Sequence, residues 1–506
     1  MRIPAVLVCV VVAAVIGAPV GAGAQERKMR MTTEVPEGVA TPDRLETSIG
    51  TLTAFDGVPD EASTQLIYDN LDLQRAVQAY LAAMPIASMS ALRNGLLEFG
   101  PANTTVTVFE SLMDSKSIWL TPNTTSVYMS AWLQLTDEPW VLESPPNVLG
   151  IIDDHWFKYV ADFGNAGPDK GQGGKFLILP PGYEGEVPEG YHVARTTTHG
   201  NWVIWRGFQV DGSTRTAIEQ TREHFRMYPL SQAGNPPELD FVNVSGVYSN
   251  TVHRMDSGIW DEINQVVQAE PSVGESPEIL GMLAAIGIEK GKPFAPDARM
   301  KAILADAASI GAYTARALTA KPREEAFYYY PGESYWTTPF VGGSHEFLQE
   351  GVRLLDGRTF FHFYATGITP AMAARLVGRG SQYAAAYNDA EGRPLDGRHT
   401  YRITLPPNVP AQDFWSFTVY DNQTRSMLQT DQQFPGLDSH KEGLAQNADG
   451  SFDIYFGPEA PAGKEANWIQ TVPGKGFNAL FRLYGPLQPW YDKTWRPGDF
   501  ERVQEG

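Results

Sequence analysis

The chain has 506 residues, enough for two or three domains of ordinary size. At 42% hydrophobic and 19% charged it has the balance of a folded globular protein, which excludes a disordered or fibrous chain. A net charge of −20 argues against nucleic acid or anionic lipid as a partner, and a single cysteine excludes an internal disulfide framework.

Arg2, the apolar run over residues 5–20 and the small residues Ala22-Gly23-Ala24 have the form of a secretory signal. Residues 1–24 are therefore expected to be removed, the mature chain to start at Gln25, and the protein to be periplasmic or secreted. The run is shorter than the roughly 20 residues a membrane span needs, and no other segment is long and apolar enough. Cys9 lies within it, so the mature chain is expected to carry no thiol. Residues 25–60 are polar and weakly patterned and read as a flexible arm.

Residues 61–120 read as a helical segment. Leu66, Ile67, Leu71, Leu73, Val77, Tyr80, Leu81 and Met84 recur at helical spacing up to Pro85, with a second helix expected over 86–99. Residues 121–245 read as a first β domain. In its leading strand Val127, Met129, Ala131, Leu133 and Leu135 alternate with Ser126, Tyr128, Ser130, Trp132 and Gln134, giving one apolar face and one polar-aromatic face. Residues 246–398 read as a mainly helical connecting region, clearest over 279–286 and 298–318. Within it Phe360-Phe361-His362-Phe363-Tyr364 reads as a strand. Residues 399–506 read as a second β domain whose aromatic tail, around Trp490 and Trp495, packs back on it. The fold class is α+β, mainly β, with two related antiparallel β-sandwich-like domains joined by helical segments.

The two β regions share phrases. Pro145-Pro146-Asn147-Val148 precedes Trp156, Val160 and Asp162; Pro406-Pro407-Asn408-Val409 precedes Trp415, Val419 and Asp421. Phe176-Leu-Ile-Leu179 matches Phe452-Asp-Ile-Tyr455, and Asn201-Trp202 with Arg206 matches Asn467-Trp468 with Arg482. This order predicts a tandem duplication, with a ligand cleft between the copies.

Leu120-Thr-Pro-Asn-Thr-Thr-Ser-Val-Tyr128 resembles a bacterial domain of unknown function numbered 1254. Phe414-Trp-Ser-Phe-Thr-Val-Tyr-Asp421, Arg482-Leu-Tyr-Gly-Pro486 and Lys493-Thr-Trp-Arg-Pro497 resemble its usual companion, numbered 1214. The resemblance spans about residues 66–500. It implies paired β-sandwich-like domains, often exported, and no particular reaction. Many relatives carry an Asp where this chain has Thr124-Thr125-Ser126, so a site built on that carboxylate does not transfer.

Several residues could carry chemistry. Asp153-Asp154-His155 offers a carboxylate and an imidazole two residues apart, either as base and orienter or as an ordinary satisfied turn. His362 stands among aromatics, either as a pocket residue or as a core histidine. Arg425 either pairs with Asp421 or clamps an anionic ligand. Tyr128, Tyr159 and Arg206 lie on polar strand faces and are expected to border a pocket with the two histidines. The histidines have no H-x-H, H-x-x-x-H or HExxH spacing, so no metal is indicated. Gly342-Gly-Ser-His-Glu346 lacks the last glycine of a nucleophile elbow, and no cofactor motif is complete. The reading is a protein that binds a small organic or carbohydrate-like ligand between its β domains. The alternative is a periplasmic or secreted hydrolase or lyase that uses His155 or His362 with nearby carboxylates.

Overall fold

The computed structural model describes residues 29–503; the expected signal segment, Cys9 and Gln25 lie outside them. The chain divides into two compact units, up to Tyr68 and from Asp69 onward. With 28% strand and 26% helix in several antiparallel and mixed sheets, it is α+β, mainly β.

In the first unit, Arg44–Thr47, Gly50–Phe55 and Val58–Pro59 form a three-stranded antiparallel sheet, not the unpatterned arm expected. Asp56 and Gly57, at φ 47° and 82°, make the second of its two two-residue turns. Both residues need positive φ there, and Asp-Gly is the dipeptide that supplies it.

One helix, Glu61–Leu97, runs straight through Pro85, where a helix end was expected. Residues 83–92 are buried on every side, so packing outweighs the backbone hydrogen bond that proline forfeits. In the turn before Pro85, the Ala82 carbonyl accepts from Arg358 Nη1 at 2.7 Å. Its buried face joins helices Ile259–Ala269, Pro277–Ala285 and Ala298–Ala320 in a helical core around Tyr80, Trp260, Leu283 and Ala308. The stretch 360–364 is also helical, within Leu355–Tyr364, and all five residues are buried. A short, fully apolar run does not distinguish a buried helix from a buried strand by periodicity.

The first β region has two sheets. One runs Asp240–Asn243, Thr105–Val108, Ser126–Gln134, Gly200–Phe208, Val148–Asp154, Tyr159–Gly164. The other runs His192–Arg195, Gly174–Leu179, Trp140–Ser144, Arg226–Pro229. Val127, Met129, Ala131, Val203 and Trp205 of the first sheet pack on Leu142, Phe176, Ile178 and Met227 of the second. The second β region has sheets Ser381–Ala386, Phe477–Pro486, Ala411–Asp421, Gly436–Asp438 and Trp468–Gln470, Phe452–Gly457, Tyr401–Leu405, Glu501–Arg502. Phe417, Val419, Phe481 and Leu483 face Ile403, Ile454, Phe456 and Ile469, and Trp490 and Trp495 of the tail join them.

The second region repeats the strand order, chain order and direction of eight strands of the first. The repeated set holds one parallel pair in each region, 174–179 with 192–195 and 452–457 with 468–470, and the first region has a second, 240–243 with 105–108, so three of these four sheets are mixed and not purely antiparallel. The Pro-Pro-Asn turns are equivalent: Asn147 and Asn408 both take positive φ, 53° and 59°. Two of the other phrase matches fail. Trp156 lies in a turn beyond its strand, whereas Trp415 sits mid-strand opposite Leu483. Trp468 lies on the strand equivalent to His192–Arg195, so it does not correspond to Trp202. Arg206 and Arg482 do correspond, on strands Gly200–Phe208 and Phe477–Pro486.

Candidate functional site

The sheet faces turned away from the two sandwich cores meet each other. Between them lies a cavity of about 150 Å³. Strand alternation sets its lining. Ile204 and Arg206 project from the first sheet, and Tyr383, Leu480 and Arg482 from the second. The loop Trp119–Asn123 and the stretch 361–372 close its sides. Trp119, Trp202, Phe340, Phe361 and Met372 make much of the wall apolar.

Arg206 stands directly opposite Tyr128 on the neighbouring strand, and Arg482 directly opposite Tyr383. Each β region therefore presents the same cross-strand arginine–tyrosine pair, with Cβ atoms about 4.5–5.5 Å apart by antiparallel geometry. Arg482 is buried. Its Nη1 donates to Thr418 Oγ1 at 3.1 Å, and its Nη2 donates to Tyr420 Oη at 2.7 Å and to the carbonyls of Thr121 and Pro122 at 2.9 and 3.4 Å. Arg206 has no hydrogen-bond acceptor or ion-pair partner among the described residues.

The Thr-Pro-Asn segment shapes this end of the cavity. Asn123 Oδ1 accepts from the amides of Thr125 and Ser126, at 3.0 and 2.9 Å. Its Nδ2 and backbone N–H both donate to Tyr128 Oη, at 2.9 and 3.3 Å. That oxygen accepts twice, so its own proton is left to donate.

Asp162 is the one carboxylate lining the cavity among the described residues. Thr369 Oγ1 donates to both its oxygens at 2.6 and 2.8 Å, and Tyr159 Oη to one at 3.3 Å. Burial pushes its pKa up, against these hydrogen bonds. The hydroxyl of Thr366, also in the lining, has no partner among the described residues.

Of the residues singled out in the sequence, Tyr128 and Arg206 line the cavity; His155, His362, Tyr159 and Arg425 do not. His155 Nδ1 lies 2.7 Å from Glu270 Oε1, and its other nitrogen has no partner among the described residues. Burial pushes its pKa below the ordinary value, so the neutral ring donates through Nδ1. Asp153, the expected orienter, instead accepts from the Ile368 amide at 2.9 Å. His362 packs edge-on against Phe157 at 4.8 Å, and burial holds its pKa well below the usual range. On its helix Phe361 and Tyr364, three residues apart, share the cavity face that His362 leaves. Arg425 is buried over the Phe363 ring at 4.5 Å and donates to the carbonyls of Phe363 and Gln423. Asp421 pairs with Lys475 instead of Arg425.

Tyr383 and Trp119 were not singled out in the sequence. Arg482 was quoted there as the counterpart of Arg206 but not promoted, and its repeat position was the signal. Among the described residues no cluster of His, Cys, Asp and Glu could hold a metal ion, and no helix is long and apolar enough to cross a membrane.

No curated protein matches the chain. Among solved structures, the VPA0106 protein from Vibrio parahaemolyticus is 18% identical over 86% of this chain and all of its own, with a TM-score of 0.53. That likeness is one of fold. An uncharacterized protein from Burkholderia cenocepacia is 12% identical over 88% of this chain and 97% of its own, with a TM-score of 0.38. Residues 103–229 match the family described as protein of unknown function DUF1254, and residues 380–488 the one described as protein of unknown function DUF1214. The first match contains Tyr128 and Arg206 and the second Tyr383 and Arg482, so the chain carries the DUF1254 and DUF1214 domains in that order, each with one arginine–tyrosine pair.

Proposed function

We propose that this protein is exported and binds a small organic molecule in the cleft between its two β regions. The observation that carries the reading is the cavity itself. Equivalent faces of two sheets wall it, aromatic and aliphatic side chains supply most of the lining, and a few polar groups converge at defined points. That combination is the usual composition of a small-molecule site. The hydrolase or lyase reading has weaker support, because His155 and His362 stand outside the lining.

Thermal-shift screening with organic acids, alcohols, sugars and aromatic amines tests the binding reading. A ligand at 100 times its Kd adds about 2.7 kcal/mol to stability. The stabilisation should vanish in Leu149→Trp, which puts bulk into the cavity from a side chain that lines it. A panel that stabilises neither protein, or both equally, would count against the cleft as the site. Arg2 and the apolar run ending at Ala22-Gly23-Ala24 support export. An intact mass that retains residues 1–24 in protein recovered from the periplasm or medium would defeat that part.

A further inference from the structure

The cavity holds two guanidiniums and no carboxylate paired with either. Arg482 is fixed by four neutral oxygens, those of Thr418, Tyr420, Thr121 and Pro122. These satisfy its N–H groups but leave its charge uncompensated. Arg206 lacks even neutral acceptors among the described residues. Asp162 is engaged by Thr369 and Tyr159 and forms no ion pair with either arginine. It lies on the same sheet face as Arg206, two strands across and two residues along. That places their Cα atoms roughly 12 Å apart.

Burial disfavours the charge of Arg206; Tyr128, Tyr383 and Tyr484 offset this and Arg482 adds to it, leaving the Arg206 pKa above its ordinary value. The favourable contribution of a phenol reaches full strength only in alkali, where it ionises. Two like charges thus face one cavity with no carboxylate paired to either. Folded proteins pair or neutralise buried charge because leaving it unpaired is costly. Arg482 is buried and Arg206 half-buried; a guanidinium from each β region facing one cavity without a paired carboxylate is what a site has when its missing partner comes from outside. The neighbouring donors agree. Tyr128 Oη accepts twice and keeps a proton to give, and Tyr383 Oη has no partner among the described residues.

We infer that Arg206 and Arg482, with Tyr128 and Tyr383 opposite them on adjacent strands, form a receptor for the oxyanion head of an amphiphilic organic acid. Its apolar body lies along Leu149, Ile151, Ile204, Trp202 and Phe340. The planar guanidinium fork suits a carboxylate or a phosphate ester equally, and oxyanion recognition is the chemistry they share. The inference rests on the ligand-binding reading of the cavity and adds the class of ligand.

The test is isothermal titration of the full chain with hexanoate, hexyl phosphate and hexanol, in a zwitterionic buffer without added salt. The variants are Arg206→Met, which keeps an apolar stem, and Arg206→Lys, which keeps a charge and loses the fork. The wild type should bind at least one anionic probe 10-fold or more tighter than hexanol, and the better of the two names the head group. Arg206→Met should lose that preference while binding hexanol as before. Arg206→Lys should fall between them and guards against a methionine variant that fails to fold. With no ligand, Arg206→Met should melt higher than the wild type, because it removes an unpaired charge. Equal binding of hexanol and the anions, or a preference that survives Arg206→Met, would overturn the receptor and leave the cavity reading intact. Absence of binding by all three probes, with a lower melting temperature in Arg206→Met, would overturn both.

Discussion

Glu270 is the sharpest place to test whether His155 is held for stability. Its carboxylate accepts from His155 Nδ1 at 2.7 Å, from the His199 amide at 2.6 Å and from the Gly200 amide at 3.0 Å. His155, Gly200 and Glu270 are all buried. Replacing Glu270 with Ala leaves three donors without an acceptor. A hydrogen bond to a charged group contributes about 1.5–3 kcal/mol, so losing the two made by the buried donors of His155 and Gly200 costs about 3–5 kcal/mol. At about 1.4 kcal/mol per factor of ten, this predicts roughly 10²- to 10³-fold loss of exchange protection in the strand starting at Gly200. Hydrogen exchange followed by mass spectrometry of peptides spanning residues 195–205 reads it locally, without requiring one cooperative transition for the whole chain. Glu270→Gln should cost less, about 1–2 kcal/mol, because an amide oxygen still accepts. The sign with pH follows from linkage. Burial pushes the Glu270 pKa up, but His155 and the two amides outweigh it and hold the pKa below the ordinary value. The charged form therefore stabilises the fold above the unfolded pKa, and that contribution disappears as pH falls through the folded one. The gap between wild type and Glu270→Gln should be full at pH 7 and close in acid. Unchanged protection in Glu270→Ala would refute the structural role and return His155 to the list of reactive groups.

Burial raises the Glu262 pKa to about 7, so its contribution has the opposite sign. Stability should fall as pH rises from about 4.5 to 7, and Glu262→Gln should gain about 1–3 kcal/mol at pH 8 and almost nothing at pH 4, read by melting temperature. A variant less stable than wild type at pH 8 would contradict this. Asn147 and Asn408 share a left-handed conformation. Asn→Gly at either site should be nearly neutral and Asn→Val should cost about 1–2 kcal/mol, by denaturant unfolding; unequal effects would mean that the two turns are not equivalent.

What the sequence disclosed depended on how local the determining physics is. The Pro-Pro-Asn turns were legible because a two-proline corner followed by a left-handed asparagine is a property of a few residues. Alternation in Ser126–Gln134 assigned Val127 and Met129 to a core and Tyr128 to the opposite face. The pairing of Tyr128 with Arg206 and of Tyr383 with Arg482 was not legible, since register is set by strands more than seventy residues apart. The matched tryptophans misled because aromatic residues recur in any β-rich chain for packing alone. Pro85 and the 360–364 run failed for a shared reason. Burial on all sides erases the one-sided pattern from which helix ends and helix type are read.

The carbonyls of Thr121 and Pro122 belong to the N-terminal half of the chain, yet they complete the hydrogen bonding of Arg482 and Tyr420 in the C-terminal half. Cut out on its own, the C-terminal sheet would expose a cation stripped of its two carbonyl acceptors on a face rich in aromatic rings. The two halves are thus not interchangeable cassettes. Grafting the C-terminal half onto an unrelated partner would have to carry the 119–123 segment with it, and a natural fusion that keeps that half without the other should show substitution of that arginine.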